Sequence, residues 1–471
     1  MTLTEWVAAE ARFAASALVR AISATHLVTE RPGFGQIVTP RPGSVLASPV
    51  PAHYDPDPDY FFHWFRDAAM VIDALRVAVA AGNTDRSAAG RLREFLQFNL
   101  DLGSLDGRDF LRHSNFRAGV QPAFREYLRT DAEIAALSGD AILGDVRVNA
   151  DGTLDFTRWS RPQSDGPALN ALVVLRWWHQ FPELRQDSAL ESAMRHIISV
   201  ALVYTHSRVG MPCGDVWEEQ SGYHYFTLLL QAQALTRGAD WLEEIGQTEP
   251  VRAYRDAADE TLSGLDAFWN DTGGYYRSLA ATESDHPRRV FDASAVVGVL
   301  HAARASGRHS VLDPRAQATL TALEELFERD FVINHERPPD RGPALGRYAG
   351  DSYYGGGAWY LATLAAAEFY FRLAQALRAG AEMALTRENR HFCQRLGITA
   401  AATRGERLAL LAFERGDSFL RTVRAFTPES GELSEQFDRN TGVQTSAKHL
   451  SWSYAAFITA AASRAEACRS R

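Results

Sequence analysis

A single lysine, Lys448, stands in a chain of 471 residues against 48 arginines. P-loop phosphate binding, pyridoxal Schiff-base chemistry and kinase chemistry each need a lysine at a set place, and no GxxxxGK[ST] surrounds this one. Cysteine is nearly as scarce. Cys213, Cys393 and Cys468 are odd in number and far apart, which fits neither a disulfide framework nor a metal-binding spacing. Long apolar runs are also missing: uncharged stretches such as those around Ser352 to Ala366 and His449 to Ser463 fall short of the ~20 residues a bilayer span needs. The opening residues MTLTEWVAAEARFAASALVR place Glu5, Glu10 and Arg12 where a secretory leader needs unbroken hydrophobicity. No basic tract offsets the net charge of −9, and a nucleic-acid backbone is read by clustered Lys and Arg. These absences lead us to expect a cytoplasmic monomer that uses no cofactor and no metal, binds neither membrane nor nucleic acid, and takes a neutral, sugar-like ligand.

Apolar residues make up 46% of the chain, enough to bury a large core, and no linker or low-complexity segment divides it. One continuous domain over 1–471 is expected. Helical periods dominate, in two kinds. Leu190, Met194, Ile197, Ile198 and Ala201 form a one-sided stripe, and Asp313-Pro314 opens a second such helix with Leu320, Leu323, Leu326 and Phe327 as its stripe; helices of this kind lie outside. Six other segments are apolar nearly all round: AAMVIDALRVAVAAG from Ala68, ALNALVVLRWW from Ala168, YHYFTLLLQAQAL from Tyr223, ASAVVGVLHAA from Ala293, AWYLATLAAAEF from Ala358 and SWSYAAFITAAAS from Ser451. Such helices are buried. Inner helices alternating with outer ones predict an all-α fold, an (α/α)6 barrel, with minor hairpins in its loops such as VRVNADGTLDF around Asp151-Gly152.

Chemistry concentrates in the segments leading into the inner helices: DPDPDYFFHWFRD, RWSRPQSDGP, DVWEEQSG, GRYAGDSYYGGG and ELSEQFDRNTG. Polar-aromatic segments entering neighbouring helices would converge on one end of a barrel and build a pocket there. Asp215 followed three residues later by Glu218 reads first as a helix-starting capping box. Its catalytic reading needs a carboxyl kept protonated, which Trp217 and Glu219 would favour. Glu435, in SEQFD, looks alone like a solvated turn, and gains meaning only as a second carboxyl entering the same barrel. Tyr60, Trp64, Arg66 and Asp67 offer rings for the C–H faces of a sugar and a charged pair for its hydroxyls, although Asp67 also suits a helix cap. Trp159 beside Arg161, and Arg347 ahead of Asp351, repeat the theme; Asp55, Asp57 and Asp59 lack the glycine and distal Glu of a calcium loop and predict a rigid turn.

In their order, these segments resemble the catalytic domain of glucoamylases, glycoside hydrolase family 15, from near the N-terminus to about Ala460. The resemblance implies an inverting exo-hydrolase releasing glucose from the ends of α-glucans or oligosaccharides. It implies Glu218 as general acid, Glu435 as base with Tyr60 beside it, and Glu219 as a substrate-binding carboxylate. Arg66 and Asp67 would hold the terminal glucose, and Trp64, Trp159, Trp217 and Arg347 would complete the pocket. No starch-binding module and no added β-domain are expected. Ser160 in place of a common Gly, Asn170 in place of an Arg, and the bulky YHYF after Gly222 depart from the family pattern and bear on the outer subsites. Rival readings are an α-1,6-specific glucosidase or a trehalase on the same barrel, an inactive glucan-binding protein, and an isoprenoid enzyme, for which DPDPD is a poor substitute for DDxxD.

Overall fold

The computed structural model describes residues 1–52, 55–280, 289–398 and 405–469. Twelve helices, numbered here in chain order, alternate between two concentric layers. The outer ones are α1 (Leu3–Ala21), α3 (Gly90–Leu102), α5 (Ser188–Arg208), α7 (Val251–Gly264), α9 (Pro314–Asp330) and α11 (Glu406–Phe426). The inner ones are α2 (Phe65–Ala81), α4 (Asp165–Gln180), α6 (Tyr225–Glu244), α8 (Ser294–Ala302), α10 (Tyr360–Arg378) and α12 (Ser451–Arg469). Each inner helix packs against the next, and α12 returns to pack against α2, closing the ring. Outer α1, α5, α7, α9 and α11 cover α12, α4, α6, α8 and α10. The expected (α/α)6 barrel is therefore the fold, and all six predicted inner helices lie where their all-round hydrophobicity puts them.

Local signals set several helix ends. Thr2 and Glu5 cap the start of α1 reciprocally, through Glu5 N to Thr2 Oγ1 at 3.2 Å and Thr2 N to Glu5 Oε2 at 2.7 Å. Asp313 caps α9 by accepting from Arg315 N at 2.9 Å, with Pro314 in the first turn. The inner helices owe little to caps: α10 buries Leu361, Ala362, Leu364, Ala366, Ala367 and Phe369 round its circumference, so packing holds it. No helix among the described residues is long and apolar enough to cross a membrane.

Strands are short and lie in loops, at the end of the barrel where the inner helices begin. Phe62–Trp64 pairs antiparallel with Arg147–Asn149, with Trp64 opposite Arg147. Arg147–Asn149 also forms the predicted hairpin, turning at Gly152 (φ 81°) so that Val148 bridges Leu154. Cys213–Gly214 pairs with Ser221–Gly222, and Gln436–Phe437 lies between Gln444–Thr445 and Ala358–Trp359. The Cys213–Gly214 ladder folds its own lead-in back on itself, while the first and last of these ladders join lead-in segments to one another. Asp59 and Asp57 serve the same purpose, pairing with buried Arg31 (2.5 Å) and with Lys448 (3.3 Å).

Candidate active site

Every residue singled out for the pocket lines one cavity of about 250 Å³ at that end of the barrel: Tyr60, Trp64, Arg66, Asp67, Trp159, Trp217, Glu218, Glu219, Arg347 and Glu435. Lead-ins to α2, α4, α6, α10 and α12 all contribute. Tyr353, Trp359 and Trp452 share the lining although nothing singled them out beforehand. The available signal was position: Trp359 immediately precedes α10 and Trp452 is the second residue of α12, the same junction that Trp64 occupies before α2.

Glu218 lies outside any helix, which corrects the capping-box reading. Asp215 caps no helix; its Oδ1 accepts from the backbone N–H groups of Glu219 (2.7 Å) and Gln220 (2.8 Å), and α6 begins only at Tyr225. The turn is instead closed by the Cys213–Gly214 and Ser221–Gly222 ladder, and it puts Glu218 at φ 65°. A non-glycine residue at positive φ is uncommon, and the surrounding hydrogen bonds must hold it there. Three N–H donors converge on the Glu218 carboxylate: Trp64 Nε1 at 2.9 Å, Arg66 Nη2 at 2.7 Å, and Trp159 Nε1. Trp159 is in turn supported from behind. The buried guanidinium of Arg147 lies 4.0 Å from its ring centroid and 4.6 Å from that of Trp64, and Arg147 is fixed by Asp155 at 2.8 Å.

Asp67 is in the first turn of α2 and does not cap it; the residue at the cap position is Trp64. Arg66 meets three carboxylates, Glu218 at 2.7 Å and Asp67 and Asp165 at 3.4 Å each, and also donates to Gln163 Oε1 at 2.9 Å. Burial pushes Asp67 up to about 6 despite Arg66, since one guanidinium cannot fully compensate three carboxylates gathered round it. Several polar atoms in and behind this wall make no hydrogen bond to protein: Arg66 Nε, Asp67 Oδ2, Asp165 Oδ1, Trp217 Nε1 and Trp359 Nε1. Buried groups of this kind are costly unless something bonds to them.

Glu435 immediately precedes Gln436–Phe437, the central strand of the three-stranded ladder ahead of α12. Its backbone N–H donates to Ala447 O at 2.8 Å, and Ser446, itself at φ 63°, donates its hydroxyl to Glu435 Oε2. Burial pushes Glu435 up to about 7, against the pull of that hydrogen bond and of the Arg347 charge. Tyr60 donates to or accepts from Tyr353 through their hydroxyls, 2.7 Å apart. Burial raises the Tyr60 phenol well above its ordinary value, and the charges of Glu435, Tyr353 and Glu218 add to this. Both carboxylates and this phenol line the same cavity.

Glu219 is clamped from both sides. Arg347 holds Oε1 at 2.8 Å, while Arg289 and the Tyr348 hydroxyl (2.6 Å) hold Oε2. Arg347 is itself locked by a two-point fork to Asp351 at 2.8 and 2.7 Å and lies 5.0 Å from the ring centroids of Tyr348 and Trp359. Gly356 (φ 62°) and Gly357 let this segment turn: a Cβ on Gly357 would stand 2.5 Å from Phe437 O. Arg289 also pairs with Asp215. It was not anticipated, and its only local signal is Asp292 three residues on.

Of the departures noted in the sequence, Ser160 packs its hydroxyl against Gly214. Asn170 is buried with its Oδ1 unpartnered. In YHYF, His224 Nε2 bonds Cys213 O at 3.1 Å and the Tyr225 hydroxyl bonds His309 at 2.8 Å, while Tyr223 is exposed. Of these, His224 braces the base of the Glu218 turn, while Tyr225 ties α6 to the loop before α9.

Residues 112–462 match glycosyl hydrolases family 15. The chain is 28% identical over 445 residues to glucoamylase-1 of Arthroderma benhamiae, covering 90% of this chain and 65% of that protein. It is 30% identical over 431 residues to glucoamylase-1 of Schizophyllum commune, covering 89% and 68%. The chain thus spans about two thirds of the length of these relatives. A solved structure of Hormoconis resinae glucoamylase superposes with a TM-score of 0.80 at 26% identity, over 98% of this chain and 74% of that one.

Proposed function

The chain belongs to glycosyl hydrolases family 15, and from that premise we propose that it is an inverting, exo-acting glucan 1,4-α-glucosidase releasing β-D-glucose from non-reducing ends. The observation that carries the reading is that Glu218 and Glu435, brought in by different loops, open into one cavity whose walls hold unsatisfied polar atoms between indole rings. Sugar hydroxyls donate and accept at once, so a terminal glucose would supply partners to Arg66, Asp67 and Trp217, while the rings cover its C–H faces.

In this mechanism Glu218 protonates the glycosidic oxygen as the bond to the anomeric carbon breaks. Glu435 takes a proton from a water attacking that carbon from the other face. Tyr60 and Ser446 orient Glu435 through their hydroxyls; Arg347 and Arg289 fix Glu219, which would accept from a substrate hydroxyl. Inversion calls for the two carboxyls to stand ~6.5 to 9.5 Å apart so that a water fits, against ~5 to 5.5 Å for retention. The test is the anomer of the first glucose released from maltotriose, followed by NMR: β-glucose is expected, and α-glucose overturns the inverting mechanism. Turnover of maltose against isomaltose and trehalose sets the linkage, with α-1,4 expected to be fastest. Glucan binding without turnover would make the chain a binding protein.

A further inference from the structure

The barrel has a second mouth. At the C-terminal ends of the inner helices a recess of about 660 Å³ opens between α2, α4, α8, α10 and α12. An adjoining hollow of about 560 Å³ shares Arg76, Arg176 and Gln180 with it and adds Arg237. Alanine and valine form much of the wall, and the polar groups among them are unevenly charged. Four guanidiniums, of Arg76, Arg176, Arg304 and Arg372, face two carboxylates, Asp73 and Glu368; Glu466 and Arg469, also in the lining, add one charge of each sign.

The fold accounts for part of this cluster. Asp73 is shared between Arg76 Nε at 2.7 Å and Arg176 Nη1 at 2.5 Å. Glu368 takes Arg372 Nη2 at 2.5 Å and the Thr459 hydroxyl at 2.7 Å. Arg176 and Arg372 also donate to His301 O and Leu300 O, the last-turn carbonyls of α8, a common task for arginine at a helix C-terminus. Arg304 is left over: among the described residues its contacts are Arg308 O at 3.2 Å and Gln233 Oε1 at 3.3 Å, both neutral. Arg76 donates to Gln180 as well as to the shared Asp73 and reaches no helix-end carbonyl. Burial first, and then the like charges of Arg76 and Arg372, act against the charge on Arg176. A recess that gathers more guanidinium than carboxylate would be relieved by an anion.

We propose that this mouth is a binding site for a phosphate-class anion, held by Arg76 and Arg304 and backed by Arg176 and Arg372. Guanidinium forks match tetrahedral oxyanions by paired N–H donors. The recess lies within the ~300 to 1,000 Å³ range of small-molecule sites, and Gln180, Gln375 and Ser463 in its wall are suited to hydroxyls on the same ligand. The shared chemistry is a phosphoryl group, free or carried on a sugar. The site is separate from the Glu218 and Glu435 cavity and does not depend on the reaction proposed there.

Isothermal titration of the full chain at low salt with inorganic phosphate and with glucose 6-phosphate tests it. One anion is expected per chain, with affinity falling as NaCl rises. Glucose should not compete, and Glu218→Gln should leave binding unchanged. Arg304→Gln and Arg76→Gln should each weaken binding by about tenfold or more; neither leaves a carboxylate unpaired, since Asp73 keeps Arg176. As a second measurement, phosphate should raise the Tm of the parent chain and not that of the double variant. Tighter binding of glucose 6-phosphate assigns a sugar phosphate, and equal affinity assigns free phosphate. No binding of either at millimolar concentration, binding that survives both substitutions, or competition by glucose overturns the proposal.

Discussion

The two mouths of this barrel are built from the same six inner helices and differ in almost everything else. Where the helices begin, long lead-ins bring indoles and phenols together with surplus carboxylate: Arg66 alone faces Glu218, Asp67 and Asp165. Where they end, the apolar part of the wall is alanine and valine without a ring, and the surplus is guanidinium. The first mouth is held by loop ladders two or three residues long. The second is held by ion pairs between helices, such as Asp73 of α2 with Arg176 of α4. The difference separates two properties. Polar atoms awaiting a partner in the first mouth bear on turnover, and the paired Asp73, Arg176, Glu368 and Arg372 of the second bear on the scaffold, so substitutions of these two sets should damage different observables.

The strongest test of that separation is Glu218→Gln, which should lower kcat by ~10² to 10⁴ while leaving Tm within a degree or two, read by steady-state kinetics beside calorimetry. Next comes acidity. With Glu435 at about 7 and the base active only when ionised, kcat/KM should fall about tenfold for each pH unit below that value. Ser446→Ala removes a hydrogen bond to the ionised form and should move this acidic limb upward; a profile flat from pH 4 to 8 would break the assignment. At the other mouth, Asp73→Asn strands Arg76 and Arg176 without their shared carboxylate. Burial opposes ionisation of Asp73, yet these two arginines hold it well below the ordinary carboxylate range. Denaturant unfolding should show a loss of ~3 kcal/mol, with kcat unchanged.

The smallest effect belongs to neither mouth. Glu10 on α1 is buried with Oε1 unpartnered, and burial pushes it up to about 8 from an ordinary 4.5. Between those two values the folded chain keeps a proton that the unfolded chain releases, so stability falls as pH rises through the window. Glu10→Gln should therefore stabilise the protein by up to about 2 kcal/mol at pH 8 and by nothing at pH 4, visible as a pH-dependent Tm difference.

The helices were legible because their signal is local. All-round apolar character marked α10 and α12, and a proline after Asp313 marked α9. The pocket was legible through its lead-ins, since ring and charge recur before α2, α4, α6, α10 and α12. What escaped was whatever two distant segments make together. Asp215 and Glu218 have capping-box spacing, but a ladder between Cys213–Gly214 and Ser221–Gly222 bends them into a turn, and pairings that short leave no alternation to read. Arg289 reaches Glu219 across 70 positions of chain, and the surplus of arginine at the second mouth exists only once five helices have met.

One closure made by the ring is a seam between distant ends of the sequence. Ser451 at the head of α12 gives its backbone N–H to Ala47 O at 2.8 Å and its hydroxyl to Leu46 O at 2.7 Å, and Ser48 donates to Lys448 O at 2.6 Å. Contacts across some 400 positions carry a loop-closure entropy that is met only when the rest of the barrel is in place. Arg66 and Trp452, 5.5 Å apart across the α2–α12 joint, lie beside that seam. The pocket is complete only once α12 has docked against α2, and a chain still leaving the ribosome carries Glu218 before Glu435 has been synthesised.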